Sequence, residues 1–488
     1  MRKYSIILSL FAIIGISNSC SENELHMTHD YSDMVEDINT EDKLQQFLNN
    51  AYIGASSTGA FGTQVILFGD ILGDNLFVSN SNSQFLTSYN LNYNGYQNDF
   101  GMYGSLYGVI NSCNTVIANT GVPSNSNVVR IKAEAKILRA LSYFTLVNFY
   151  SPTPTSGINQ EYGVPLVLGD YDSSAQPARA SVGDVYNQII ADLQSGIDGA
   201  IAEPGSKTLM SKTVAKLILT KVYLTRRAPG DAQLALQLST DIINSSPGMY
   251  APIDPTENGG LRYQNYFAAT DSKVSEEQTE TIWELDLNSD TNRLNGIGSN
   301  VSLPCYYSRL DSRKCLLFTQ TFYNSLTATD VRKGSTSTGL LINTGVPGTD
   351  NPKGFWTNKF PRLTDEGNYF RNIKVFRFAD VILSRIEALY LTGQNAQALS
   401  ELNTFAASRK SAVYTGANLL EEILKERQLE FYGEGHRFFD LKRYGLANVK
   451  SSNCVMNCNV PGNDKLFVLP VSQSSINKNP NLTQYPGY

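Results

Sequence analysis

Between Val128 and Phe149 apolar residues return at steps of three and four, so Ile131, Ala135, Leu138, Leu141 and Phe144 share one face of a long helix. Ala133, Ala135 and Ala140 keep that surface shallow enough for a neighbouring helix to approach, and Pro152 and Pro154 close the element. The same period predicts helices over about 100–119, 127–150, 182–201, 212–226 and 232–244, and again over 373–391, 394–408 and 419–432. Thr40 is placed to cap an earlier helix carrying Leu44, Phe47, Leu48 and Tyr52. Asn418 with Glu421 reads as a capping box for the last helix.

Two long stretches break this pattern. Gly54 to Gln97 is rich in Gly, Ser, Asn and aromatics without a sustained helical period. Ala251 to Arg371 is rich in Gly, Pro, Asn and Asp, with one short alternating strand at Thr281 to Leu287 and an exposed loop at Gly334 to Gly354. The predicted fold is therefore mainly α. Successive antiparallel helix pairs form a tetratricopeptide-like scaffold, although no clean 34-residue repeat is present. Long irregular insertions in a compact domain usually carry function, which makes both segments candidates for facing a ligand.

The N-terminus changes the picture from a plain helical domain to an exported one. Arg2 and Lys3 precede the apolar run Ile6 to Ile16, which is too short to span a bilayer. Ser17-Asn18-Ser19-Cys20 resembles a lipoprotein processing site in which Cys20 becomes the lipidated first residue, with Ser17 departing from the usual Leu. The alternative is an ordinary secretory signal cleaved near the same place. Residues 1–19 then form the signal peptide and 20–39, polar and acidic, a flexible tether. One intertwined unit follows, with a helical region at 40–250 and a C-terminal region at 251–488. The latter runs from an irregular insertion (about 251–371) through returning helices (about 373–444) to a tail.

Of 39 basic and 45 acidic residues the signal removes two basic ones, leaving 37 − 45 = −8. That balance argues against a nucleic acid or an anionic membrane surface as partner. Charged residues make up only 17% of the chain, so its polarity comes largely from Asn, Ser, Thr, Gly and 27 Tyr, a composition suited to neutral polyhydroxyl ligands. Cys305 with Cys315, and Cys454 with Cys458, are spaced for local disulfides in an exported protein. Cys113, in an apolar helical pattern, reads as a buried thiol. Neither a metal site nor a cofactor is expected.

Candidate chemistry falls in two groups. Glu426, Arg427, Glu430, Glu434, His436, Arg437, Asp440, Lys442 and Arg443 crowd one short stretch, and Glu426 and Glu430 share a helix face as an acid–base pair would. Neighbouring Arg427, Arg437 and Lys442 would hold these carboxylates ionised, which suits ion pairing better, and Asp380 and Glu387 receive the same structural reading. Gly69 to Asn75 clusters acidic oxygens but lacks the alternating spacing of a calcium loop, so turn chemistry is the better reading. For sugar recognition, rings for stacking and polar groups for hydroxyls come from Phe68, Asp74, Asn75, Phe77, Tyr89, Tyr93 and Tyr96 in the first irregular segment. The second offers Arg293, Tyr306, Tyr307, Arg309 and Trp356, while Trp283 in the alternating strand reads as core.

The stretch LKERQLEFYGEGHRFFDLKRYG, Leu424 to Gly445, resembles the C-terminal signature of the SusD/RagB family of outer-membrane nutrient-binding lipoproteins. RIKAEAKILRALSYFTLVNFY (Arg130 to Tyr150), YGVPLV (Tyr162 to Val167), RFADVILSRIEALYL (Arg377 to Leu391) and the tail from Leu469 are similar to further family segments, in the family's order, with Tyr485 in place of a usual Asn. The resemblance implies a helical scaffold of four tetratricopeptide-like pairs and a ligand site in irregular loops. It implies a surface lipoprotein of the outer membrane that binds oligosaccharide or polysaccharide and delivers it to a SusC-like TonB-dependent transporter, with no enzyme activity. It also implies that the charged signature is a structural clasp. The same architecture binding peptides is the alternative; a surface glycoside hydrolase and a purely partner-docking repeat protein are weaker rivals.

Overall fold

The computed structural model describes residues 38–80, 82–170, 172, 174–245, 249–287, 301–334, 339–342, 353–362 and 369–488. The expected signal peptide, lipid-anchor Cys20 and nearly all of the tether lie outside them.

Helices α1 (Glu41–Ala55), α2 (Gln64–Ile71), α3 (Met102–Ala118), α4 (Ser126–Tyr150), α5 (Val182–Gly199), α6 (Lys212–Arg226) and α7 (Asp231–Ser245) fill the first half. After the second irregular segment come α8 (Phe378–Leu391), α9 (Asn395–Ser408), α10 (Leu419–Glu430) and α11 (Arg437–Arg443). From α3 to α10, leaving out the insertion, each helix packs on the next, and α7 packs directly on α8 across the insertion between them. With α1 against α3, the pairs α1/α3, α4/α5, α6/α7 and α8/α9 give the tetratricopeptide-like scaffold that the periodicity predicts.

Local chemistry explains most boundaries. Thr40, Asn125, Ser181 and Ser211 accept backbone N–H groups from the first turns of α1, α4, α5 and α6. The expected box at Asn418 does not form: Asn418 makes no side-chain cap, and Glu422 instead accepts from the backbone of Thr415 and Gly416. The family-like residues of α4 are its fasteners. Arg139 donates to both carboxylate oxygens of Asp192 on α5 (2.7 and 2.8 Å) and to Asn114 on α3 (2.8 Å). Gly196 brings α5 so near α4 that a Cβ there would lie 2.6 Å from the Ile137 side chain.

Three readings are corrected, the first being the exposed loop expected at Gly334 to Gly354, of which the described residues 339–342 are buried and include strand β4 (Leu341–Ile342). Residues 373–377 form strand β6 (Ile373–Arg377), antiparallel to β2 (Thr281–Leu285), and the helix begins only at Phe378. The first irregular segment contains α2, whose residues Val65 to Ile71 are all buried; with no polar face it shows no amphipathic period. That segment also holds β1 (Leu76–Val78), which pairs antiparallel with β3 (Leu316–Phe318) of the second segment. Trp356 lies in β5 (Trp356–Thr357), paired with β4 (Leu341–Ile342). A last hairpin joins β7 (Asn448–Val449) to β8 (Asn459–Val460).

Candidate functional site: the seam between the irregular segments

The two irregular segments meet, as a shared ligand platform would require, but they meet through their rings. Tyr488, Tyr93, Phe100, Phe68, Phe85 and Tyr306 form a continuous chain of ring contacts with centroids 4.9–6.3 Å apart, from the C-terminal residue across the first segment to the second. Tyr89 and Tyr93 are buried and give their hydroxyls to the Ser452 and Leu466 carbonyls. Phe77 and Trp356 are wholly buried in strands, and Tyr306 and Tyr307 are buried in a short helical turn. A ring enclosed on both faces cannot stack on a sugar, so the expected aromatic platform is corrected: these rings form the core of the seam. Trp283 is core, as read, with its indole N–H on the Thr208 carbonyl at 3.1 Å.

The polar candidates are similarly engaged. Asp74 holds Arg437 at 2.6 and 2.9 Å, and the Asn75 side-chain oxygen accepts from Gln428 at 2.6 Å, so both dock the C-terminal signature onto the first segment. Arg293 lies outside the described residues. Arg309 is half-buried, and its Nε has no hydrogen-bond partner among the described residues.

Tyr96 is the exception among the aromatic candidates, at 85% exposure. Its backbone is held even though its ring is free. Asn94 Oδ1 accepts from the Tyr96 and Gln97 amides (2.9 and 3.0 Å), and the Gly95 carbonyl accepts from Gln473 of the tail at 2.7 Å. Asn92, Asn94 and Gln97 are exposed beside it. The first segment thus presents an outward ring on a turn pinned to the C-terminal tail, among amide side chains, which suits stacking and hydroxyl recognition.

Behind the seam sits the charged signature. Glu430, fully buried, meets Arg377 at 2.8 Å, Arg409 at 3.2 Å and Arg332 at 3.3 Å. Burial alone would raise its pKa, but the three guanidinium groups hold it well below the usual carboxylate range. Glu426 meets Arg332 at 2.6 Å; Glu434 meets Lys359 and Arg377 at 2.6 and 2.7 Å. Arg427 bonds Asp440 at 3.1 Å, and Arg443 bonds Asp440 and Glu387 at 2.8 and 2.7 Å. The ion-paired clasp therefore forms, but the partners of Glu426 and Glu430 are Arg332, Arg377 and Arg409, distant in sequence, in place of Arg427, Arg437 and Lys442. The glycines of the turn have a steric role: Gly435 has φ +77°, and a Cβ on it would lie 2.8 Å from Ile66 Cα.

The cysteines divide. Cys454 and Cys458 form the expected disulfide, closing the tip of the last hairpin, where the Val455 amide and Asn457 side chain bond Asn90 and Leu91 of the first segment. Cys305 and Cys315 do not pair. Cys305 turns its sulfur to Ser302, 3.2 Å away, while Cys315 is fixed at the entry to β3 by its carbonyl bond from the Ser79 amide. Cys113 is a buried thiol, as read. Among the described residues no group of three or more His, Cys, Asp or Glu is arranged to hold a metal, and the acidic oxygens of 69–75 are spent on Tyr307, Gly435 and Arg437.

Two family patterns match this chain: one described as the SusD family over residues 318–488, and one described as starch-binding, associating with the outer membrane, over residues 25–224. The chain belongs to the SusD/RagB family. A SusD-like protein of Bacteroides ovatus is 24% identical over 385 residues, 71% of this chain and 65% of its own length. The starch-binding protein SusD of Bacteroides thetaiotaomicron is 31% identical over 125 residues, 24% of this chain and 22% of that one. A SusD superfamily crystal structure from Bacteroides thetaiotaomicron superposes with TM-score 0.78 at 26% identity, covering 92% of this chain and all of that one. A laminarin-binding SusD-like protein superposes with TM-score 0.71 at 23% identity, covering 92% and 99%. These likenesses establish the mainly helical SusD fold and a carbohydrate-binding, outer-membrane-associated family. No helix among the described residues is long and apolar enough to cross a membrane.

Proposed function

We propose that this SusD-family protein is a lipoprotein of the outer-membrane surface, anchored through Cys20, that binds a neutral oligosaccharide at the rim of the seam and passes it to a SusC-like TonB-dependent transporter. The observation that carries the ligand site is Tyr96, an outward ring on a turn whose backbone is already fixed by Asn94 and Gln473. Holding the turn before ligand arrives lowers the entropy cost of binding. Arg309, half-buried with an Nε that has no hydrogen-bond partner among the described residues, is the polar candidate from the second segment. The starch- and laminarin-binding names of two relatives support a glycan over a peptide as ligand.

Binding without cleavage is supported by the carboxylates. Glu426 and Glu430 are buried and held by arginines, whereas glycoside hydrolysis needs one protonated carboxyl beside one ionised one in an open cleft. Calorimetry of the purified protein against starch, laminarin and related polysaccharides tests the reading. A Tyr96→Ala protein that is folded and binds as well as the parent would overturn the site. The anchor is tested separately: Cys20→Ala should leave the protein unacylated and released from membranes, and retention like the parent's would refute it.

A further inference from the structure

Helices α4 and α6, strand β6 and the Gly435–His436 turn leave a cleft of about 130 Å³ beneath the clasp, a volume comparable with a cavity that takes one six-membered ring. Its lining includes the apolar Leu141, Phe144, Ile218, Phe376 and Phe439. The charged residues of the lining are already matched: Arg443 with Glu387, Arg427 with Asp440, and Lys221 with Asp380 behind it. A further ion would have to break one of these pairs in a desolvated setting, so the cleft favours an uncharged occupant.

Among the described side chains of the lining, His436 is a polar group with no hydrogen bond of its own. Its ring stacks on Phe431 at 4.3 Å, and its nitrogens make no hydrogen bond among the described residues. Burial pushes its pKa down to about 3, so the imidazole is neutral and offers one N–H donor and one acceptor. A hydroxyl is the complementary group. Asn148, Lys221, Val375, His436 and Phe439 each keep partial exposure, which gives a small molecule a way in.

We propose that this cleft is a second binding site, separate from the glycan rim, for a small uncharged ring compound bearing one hydroxyl, of the phenol class. The ring lies against Phe144, Phe376 and Phe439, where edge-to-face contacts are favoured, and the hydroxyl bonds His436. The site does not depend on the glycan reading, because none of its walls belongs to the rim that carries Tyr96.

Calorimetry with phenol and toluene on the full chain, the His436→Phe variant and the Val375→Trp variant tests it. The parent should bind phenol about two- to tenfold more tightly than toluene, the range expected of one hydrogen bond. His436→Phe, which keeps the stack on Phe431, should still bind but lose that preference; Val375→Trp, which fills the cleft, should bind neither. Should His436→Phe fail to fold, the imidazole NMR signals of His436 in the parent give the same answer, with the signals of the other two histidines identified by His26→Gln and His29→Gln substitutions. Phenol should shift the His436 signals and toluene should not. No binding of phenol by the folded parent, an equal preference in His436→Phe, undiminished binding by folded Val375→Trp, or unmoved His436 signals would each overturn the proposal.

Discussion

The Tyr307 hydroxyl donates a 2.7 Å hydrogen bond to Asp70 Oδ2, and Asp70 Oδ1 accepts the Gly435 amide at 3.2 Å. One buried carboxyl on α2 therefore ties the second irregular segment and the signature turn to the first segment. Burial lifts its pKa to about 7 from an ordinary 3.8, so the fold prefers the protonated form. Its contribution to stability is complete below about pH 4 and is lost as pH rises to about 7. Asp70→Asn removes this titration, and its amide can donate to Tyr307 in turn. The stability of Asp70→Asn relative to the parent should rise between pH 4 and 7 by on the order of 2–4 kcal/mol. Urea denaturation of both proteins at several pH values measures it; a flat difference would show that Asp70 does not titrate in this window.

His436 acts with the opposite sign. Its folded pKa is depressed to about 3 from 6.5, so the unfolded chain takes up the proton more readily. The stability it contributes is present above about pH 6.5 and is lost as pH falls toward 3. The parent should lose stability relative to His436→Phe over that window, and the same denaturation series detects it. An unchanged gap would place the imidazole in water.

Glu430→Gln leaves three buried guanidinium groups with one fewer charge to face. Removing one partner of a buried pair costs about 3–5 kcal/mol, so this variant should melt well below the parent. No glycan-cleaving activity should exist in the parent for it to lose. Reproducible hydrolysis that vanishes in Glu430→Gln would contradict the structural role of the clasp.

Legibility in the sequence follows from where the partner lies. Helix α6 is readable to the residue because Ser211 caps it and its apolar face is continuous over 212–226. Helix α2 is hidden because burial all round erases the polar face that reveals a helix. Ile373 to Arg377 reads as the start of α8 because its apolar residues run on into Phe378; only pairing with Thr281 to Leu285, far upstream, makes it a strand. The clasp is visible as a charge cluster, but Arg332 and Arg409 give no local sign of reaching Glu430. Aromatic content located the seam correctly and misjudged its rings. Tyr93 and Tyr96 sit three residues apart in the same kind of sequence, and only contacts with Phe100 and Tyr488 turn the first inward.

The cysteine arrangement predicts a simple chemical result. In the unlipidated folded domain, only Cys454 and Cys458 should be linked, and Cys113, Cys305 and Cys315 should react with alkylating agents only after denaturation. Opening so small a loop should cost about 2 kcal/mol by loop entropy and loosen the hairpin bonds to Asn90 and Leu91. Mass spectrometry of the alkylated protein decides the pairing. A Cys305–Cys315 link in the native protein would refute it.

Exposure separates ligand rings from core rings, and substitution should reveal the difference. Tyr96→Ala removes a ring that is 85% exposed, so folding stability should change by less than about 0.5 kcal/mol. If that ring stacks on glycan, its loss should cost about 1–3 kcal/mol of binding, which is roughly tenfold or more in affinity. Trp356→Ala and Phe77→Ala should do the reverse. Each empties a fully buried position and should cost about 3–5 kcal/mol of stability, with affinity lost only through unfolding. Binding by the parent should change little with salt, because a neutral glycan brings no charge to be screened. Calorimetry and thermal melts on the same three variants separate the two effects. Unchanged affinity in Tyr96→Ala, or steep weakening of binding with salt, would move the ligand site away from this turn and favour a charged ligand such as a peptide.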